Sequence, residues 1–380
     1  MPSLPIWKPT QPPTQHALFE LLTDLQTLGL RFPPLADLGV HRRAGAGPSD
    51  HKAVRLGGQT IMVPIHTRPA AASPFEVREL HPGGGVLYRD EHALMPIDFA
   101  RMPRFYAGNT ADGVPYWKIA TLHGSDVLAT TVLQKCVRYG NRQKSCQFCA
   151  IGQSLAAGST IAEKTPEQLA EVARMAVALD GVKHAVLTTG TPPSDDRGAA
   201  VLTRCSAALR TAVPGLAVQA QCEPPADYAW FRRLHDAGVV TLGMHLEAVT
   251  EPVRQRIMPG KAEVPVSVYL EAFEAAVEVF GHGQVTTYIL AGLGDSADDI
   301  VAMCQNVARL GVYPFVVPFV PIAGTPLADH QPPSAANMQR LLRDVASVLS
   351  EHRLSSDEVL AGCGRCGACS TLRSAETQHA

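Results

Sequence analysis

The stretch Gln134–Ser154, QKCVRYGNRQKSCQFCAIGQS, holds Cys136, Cys146 and Cys149, three of the chain's nine cysteines. A structural zinc site usually closes its shell with four protein ligands, whereas a metal that does chemistry keeps one position open. Three thiols therefore point to an unfinished shell. On a [4Fe–4S] cluster, three cysteines hold three irons and leave the fourth free to chelate a ligand. Cys146 and Cys149, spaced C-x2-C, can grip one cluster from a single turn, and Cys136 supplies a third leg. The same residues also allow a zinc knuckle completed by a distant His or Cys. A second run, AGCGRCGACSTL, sets Cys363, Cys366 and Cys369 as C-x2-C-x2-C among glycines, which let the backbone wrap closely around a metal. That spacing suits an auxiliary iron–sulfur cluster, as in ferredoxin-like runs, or a zinc ion. Cys205, Cys222 and Cys304 stand alone and read as small buried hydrophobes; Cys222, at a strand end, is the one placed to add a ligand.

From about residue 126 onward, short β-rich runs alternate with helical patterns. The runs are DVLATTVLQ (126–134), KHAVLTT (183–189), LAVQAQC (216–222), VVTLGMHLE (239–247), QVTTYILAG (284–292) and YPFVVPFVP (313–321). Each pair is separated by enough chain for a crossover helix, so six parallel strands are expected, as a barrel or an open doubly wound sheet. The first crossover helix starts at Thr165-Pro166-Glu167-Gln168, a capping box with proline in the first turn. Cys136 then falls at the C-terminal end of the first strand, where active sites of such folds form. Period-two alternation puts His245 and Glu247 on one face of the fourth strand, and Gln219 and Gln221 on one face of the third, with Glu223 at its end. His245 reads as a hydrogen-bonded core histidine. Arg254 and Arg256 read either as a bidentate clamp for a carboxylate or as exposed helix-end arginines.

Residues 1–125 break this rhythm. A helix near His16–Leu28 precedes Pro/Gly-rich, short-strand sequence, read as a separate α+β accessory region. Gly83–Gly85 lacks the strand–loop–helix setting of a phosphate cradle and reads as a turn. The chain has 380 residues, 46% of them hydrophobic and 18% charged, with a net charge of −2. A polyanionic partner such as tRNA is disfavoured, and a small-molecule substrate is expected. The opening MPSLPIWKPTQPPTQ lacks the layout of a secretory signal, and no run is long enough to span a membrane, so a cytoplasmic protein is expected. Clustered cysteines fit metal binding in a reducing compartment.

A cysteine triad after the first strand of a six-strand β/α series, with an aromatic residue (Phe148) before the last cysteine, resembles the radical S-adenosylmethionine (SAM) superfamily. The usual motif there is C-x3-C-x2-C, so the loop between Cys136 and Cys146 is longer by six residues. The superfamily's GGE stretch, which holds the amino group of SAM, corresponds to Thr189-Gly190-Thr191-Pro192, with threonine replacing the acidic residue. Its fifth-strand G-x-I-x-G-x-x-E pattern near the adenine resembles Tyr288, Leu290, Gly292 and Asp295. The segment PFVPIAGTPLADHQPPS (318–334) resembles the sixth-strand region of the biotin-synthase-like branch. Over residues 125–352, and with the C-terminal cysteines, the pattern is most similar to an uncharacterised radical SAM family encoded beside a nitrilase.

The resemblance implies a partial (β/α)6 TIM-like barrel over 126–352, an accessory region over 1–125 and a Cys-rich tail over 353–380. It implies that Cys136, Cys146 and Cys149 hold a catalytic [4Fe–4S] cluster, and it makes Glu247 a SAM-site candidate beside the plainer reading of a satisfied core carboxylate. One electron would then cleave SAM to methionine and a 5′-deoxyadenosyl radical, which takes hydrogen from a small-molecule substrate. A reductant such as a flavodoxin or ferredoxin is implied as partner. Two alternatives are a sulfur-inserting enzyme that spends the tail cluster and a zinc-stabilised scaffold without redox activity.

Overall fold

The computed structural model describes residues 13–33, 51–141 and 143–379; the first twelve residues, read above for a targeting signal, lie outside them. The first helix, Gln15–Leu28, starts where the Thr14 side chain accepts from the Ala17 amide. It lies on an antiparallel sheet of β1 (His51–Leu56), β2 (Gln59–Pro64), β3 (Phe75–His81), β4 (Gly84–Arg89) and β5 (His92–Phe99), in the order β2-β1-β5-β4-β3. Alternation puts Val54 and Leu56 of β1 on the covered face, where they join Leu18, Leu22 and Leu25 of the helix in one core. Gly83 turns with φ +95° between β3 and β4, and no helix follows, so this is a hairpin turn.

The second sheet runs β6 (Thr121–His123), β7 (Val127–Leu133), β8 (His184–Thr189), β9 (Ala217–Gln221), β10 (Val239–Gly243), β11 (Val285–Ala291) and β12 (Val312–Pro318). Neighbours in space follow chain order throughout. β7 to β12 pair in parallel, and β6 adds an antiparallel edge that the sequence reading lacked. Because the strand order never reverses, the sheet has no switch point and curls in one direction as a partial TIM-like barrel, which excludes the doubly wound alternative. Helices cover its outer face, starting with Pro166–Asp180, whose Thr165/Gln168 capping box is formed on both sides. Ala185, Leu187, Val218, Ala220 and Leu242 point outward into that helical core. Their alternates Val186, Thr188 and Gln221 face the concave side, as does Tyr288 of β11.

The tail runs along this concave side. Ala361 O accepts from Thr241 Oγ1 at 3.1 Å, the Gly362 amide donates to His184 Nδ1 at 3.0 Å, the Cys363 amide to Gln219 Oε1 at 3.2 Å, and Ser370 Oγ to Val316 O at 2.6 Å. Its other side meets the antiparallel sheet and first helix: Ala368 O accepts from the Met62 amide at 2.7 Å and from Gln26 Nε2 at 2.9 Å. The tail is thus clamped between the two sheets. No helix among the described residues is long and apolar enough to cross a membrane.

Candidate active site

The loop after β7 carries the first cysteine triad. The Cys149 amide donates to Cys146 O at 3.1 Å, which closes the C-x2-C turn. The cysteine loop docks on the end of the helix Glu251–Ile257 and the segment after it: Gln147 N, within the C-x2-C turn, donates to Ile257 O at 2.8 Å, and Gly260 N donates to Lys144 O, in the lengthened part of the loop, at 3.1 Å. All three cysteines line one cavity of about 380 Å³, together with Phe148, Thr189, Gly190, Thr191, Cys222, Glu223 and Glu247. Burial raises the Cys146 thiol well above its ordinary value and pushes Cys149 up to about 12. Three soft thiol donors on one cavity wall fit a cluster.

Two cations that the sequence reading missed share the site. Lys261 Nζ donates to Glu247 Oε2 at 2.8 Å. Burial works against the Lys261 charge, but Glu247, Tyr269 and Glu223 around it prevail and raise its pKa above the usual lysine value. Arg138, within the cysteine loop, donates to Glu223, which also accepts from Thr191 Oγ1 at 2.8 Å and Arg197 Nη1 at 3.5 Å. Burial pushes the Glu223 carboxyl up, yet Lys261 and Arg138 outweigh it and hold the group below its normal range. Gly190 sits so close to the preceding loop that a Cβ there would lie 2.1 Å from Lys135 O. Its carbonyl accepts from Thr189 Oγ1 at 2.8 Å, while Thr191 O is taken by the Val137 amide.

Several expectations need correction. β10 ends at Gly243, so His245 and Glu247 do not share a strand face. Glu247 instead adopts φ +64° and bridges to β11, its amide donating to Tyr288 O at 2.8 Å. Both side chains reach the cavity through this turn. Arg254 is neither a clamp nor exposed. It is fully buried and donates to Leu246 O at 2.8 Å, Val264 O at 2.9 Å and Ala248 O at 3.3 Å, tying the Glu247 turn to the Lys261 segment. Arg256 donates to Leu293 O at 3.2 Å. Gly292 and Asp295 line a separate cavity with Ala297 and Pro333 rather than the cysteine-lined one, and Asp295 accepts from the Val249 and Thr250 amides and the Thr250 hydroxyl at 2.6 to 3.0 Å. Cys205 and Cys304 are buried within helices as small hydrophobes.

A second cavity of about 300 Å³ adjoins the first and shares Phe148, Thr188, Gln221, His245, Glu247 and Ile322 with it. Leu290, Tyr288, Val186, Val317 and Phe319 make its wall mostly apolar, and Cys363 and Cys369 line it too. His245 accepts from the Tyr288 amide at 3.2 Å, and burial drives its pKa down to about 3, so the ring is neutral. Burial pushes the Cys363 thiol up to about 11 and Cys366 to about 12, and crowding by the other two thiols adds to the rise at Cys369. Gln221 Nε2 donates to Cys363 Sγ at 3.3 Å. Among the described residues, no three His, Cys, Asp or Glu side chains converge closely enough to hold one metal ion. A cluster spreads its ligands over several irons and asks for no such convergence.

A sequence profile of the radical SAM superfamily matches residues 138–307, taking in Cys146 and Cys149 and starting just past Cys136. The chain is similar to bacteriochlorophyllide c C-7(1)-hydroxylase of Chlorobaculum limnaeum, 27% identical over 349 residues that cover 86% of this chain and 84% of that protein. It is also similar to the biotin synthase of Campylobacter concisus, 24% identical over 57% of this chain and 76% of that protein. Among solved structures, methylornithine synthase (PylB) superposes with a TM-score of 0.47 and 16% identity, covering 66% of this chain and 68% of that one. The cysteine-lined cavity at the C-terminal mouth of a curled parallel sheet and the matching profile lead to one conclusion: residues 138–307 form a radical SAM domain, and the chain is an enzyme.

Proposed function

We propose that Cys136, Cys146 and Cys149 hold a [4Fe–4S] cluster with one open iron, and that a small, largely apolar substrate occupies the cavity between the two cysteine sets. When bound, the cluster and SAM would supply hydrogen-abstraction chemistry, driven by one electron from an external reductant such as a flavodoxin or ferredoxin. The chain's own residues bind and insulate. Gly190 O, with a lone pair beyond its Thr189 partner, is the acceptor offered to the SAM amino group. Arg138 and Lys261 are the cations within reach of its carboxylate, each now neutralised by a glutamate. Phe148 and Leu290 provide apolar wall, and Phe148 stands on the boundary of both cavities. Enclosure keeps water from a reactive radical. The single observation that carries this reading is the junction of the two cavities, with one cysteine triad on the first and Cys363 and Cys369 on the second.

Cys363, Cys366 and Cys369 hold an auxiliary iron–sulfur cluster in this reading. Because Cys363 and Cys369 face the proposed substrate cavity, a second reading makes that cluster a sulfur donor; loss of cluster sulfide in step with product would establish it. The primary test is reduction with dithionite in the presence of SAM. Deoxyadenosine is expected from the unaltered chain and from Cys363→Ala, with none from Cys146→Ala. Product from Cys146→Ala would refute the assignment.

A further inference from the structure

A C-x2-C-x2-C run supplies three ligands, and iron–sulfur clusters ordinarily take four. What completes the tail site is decided by the groups that face its sulfurs. Gln221 donates to Cys363 Sγ, the Tyr288 hydroxyl bonds the Cys369 thiol, and His123 Nε2 lies 3.3 Å from Cys369 Sγ. Asp126 also acts on Cys366, but its carboxylate is engaged by Ser125 at 3.3 Å, His184 at 3.7 Å and Lys183 at 3.8 Å. Of these groups only the imidazole is an ordinary ligand of cluster iron.

We propose that His123 is the fourth protein ligand of the tail cluster, making it a Cys3His site. His123 is the last residue of β6 and turns into the hairpin with β7, where it pairs with Val127. The next residue, Gly124, is pressed on the tail from the same side: a Cβ there would stand 2.9 Å from Cys366 Sγ and 3.4 Å from Ala368 Cβ. The hairpin thus meets the tail at two of the three cysteines. The tail is tied to the barrel sheet by the Cys363 amide and the Ser370 hydroxyl, and the hairpin is part of that same sheet. This gives the edge strand β6 a purpose that barrel closure does not require. A histidine on one iron raises the reduction potential relative to an all-thiolate cluster.

The inference rests on the reading that the tail carries a cluster, and the test separates the two. The full chain carrying Cys136→Ala, Cys146→Ala and Cys149→Ala leaves iron only at the tail; it is grown with 15N-histidine, reconstituted anaerobically with iron and sulfide, and reduced. Pulsed electron paramagnetic resonance is expected to show a strongly coupled nitrogen that responds to the label. His123→Cys in the same background should keep the iron, lose that coupling and titrate at a lower midpoint potential. A cluster without a coupled histidine nitrogen, or coupling and potential unchanged in His123→Cys, overturns the assignment of His123 alone. Absence of iron overturns the tail cluster itself and this proposal with it. Should His123→Cys fail to fold, the labelled chain with His123 intact still decides.

Discussion

Removing the Lys261 charge tests whether the pair beneath the cysteines is as tightly coupled as its geometry demands. Lys261 Nζ and Glu247 Oε2 are 2.8 Å apart, with side chains only 9% and 19% exposed. At an effective dielectric of about 20, that separation corresponds to roughly 6 kcal/mol of attraction before desolvation is subtracted. Breaking a buried pair costs about 3–5 kcal/mol, because the partner is left uncompensated. The residual exposure of Glu247 places Lys261→Met near the lower end, at about 3 kcal/mol. Glu247→Gln alone should cost less, and the double variant should recover part of the loss, giving a coupling energy of about 2 kcal/mol. Denaturant unfolding of the four proteins under anaerobic conditions reads the cycle. A coupling below about 0.5 kcal/mol would mean that the two charges act independently, and the argument for a built electrostatic site would fall.

Three further outcomes follow from the same geometry. Glu223 has its pKa lowered in the folded state, so its contribution to stability is present above its unfolded value of about 4.3 and fades as the pH falls; Glu223→Gln should flatten the acid limb of the stability–pH profile, and an unchanged limb would refute the assignment. Gly362 has φ +90°, and a Cβ there would lie 2.0 Å from Gln219 Cδ; Gly362→Ala should displace the tail and lower iron per chain while deoxyadenosine formation persists. Arg254→Met removes a fully buried guanidinium and strands several carbonyls, for a loss of about 3 kcal/mol or more by denaturant unfolding.

The six parallel strands were legible because strands covered on both faces appear as near-continuous apolar runs, as VYPFVVP of β12 does. The cysteine triads were legible from spacing alone. β6 was not, since three residues with no alternation to display leave no pattern. The end of β10 was hidden because MHLE continues the apolar rhythm of a strand, and only the pairing of Glu247 with β11 reveals the turn. Arg254 looked like a clamp or a surface charge, and Lys261 carried no signal, because their partners are backbone carbonyls and a carboxylate brought near by the fold. The tail's docking depended on contacts spanning most of the chain, such as Met62 with Ala368 and Thr23 with Thr371, which no local signal encodes.

The open iron vertex is reached most directly in the chain with Cys363→Ala, Cys366→Ala and Cys369→Ala, where only the first triad can bind iron. Reconstituted and reduced, that protein should carry about four irons and give a paramagnetic signal that changes when SAM is added. A chain that binds no iron, or a cluster whose signal ignores SAM, would contradict the account.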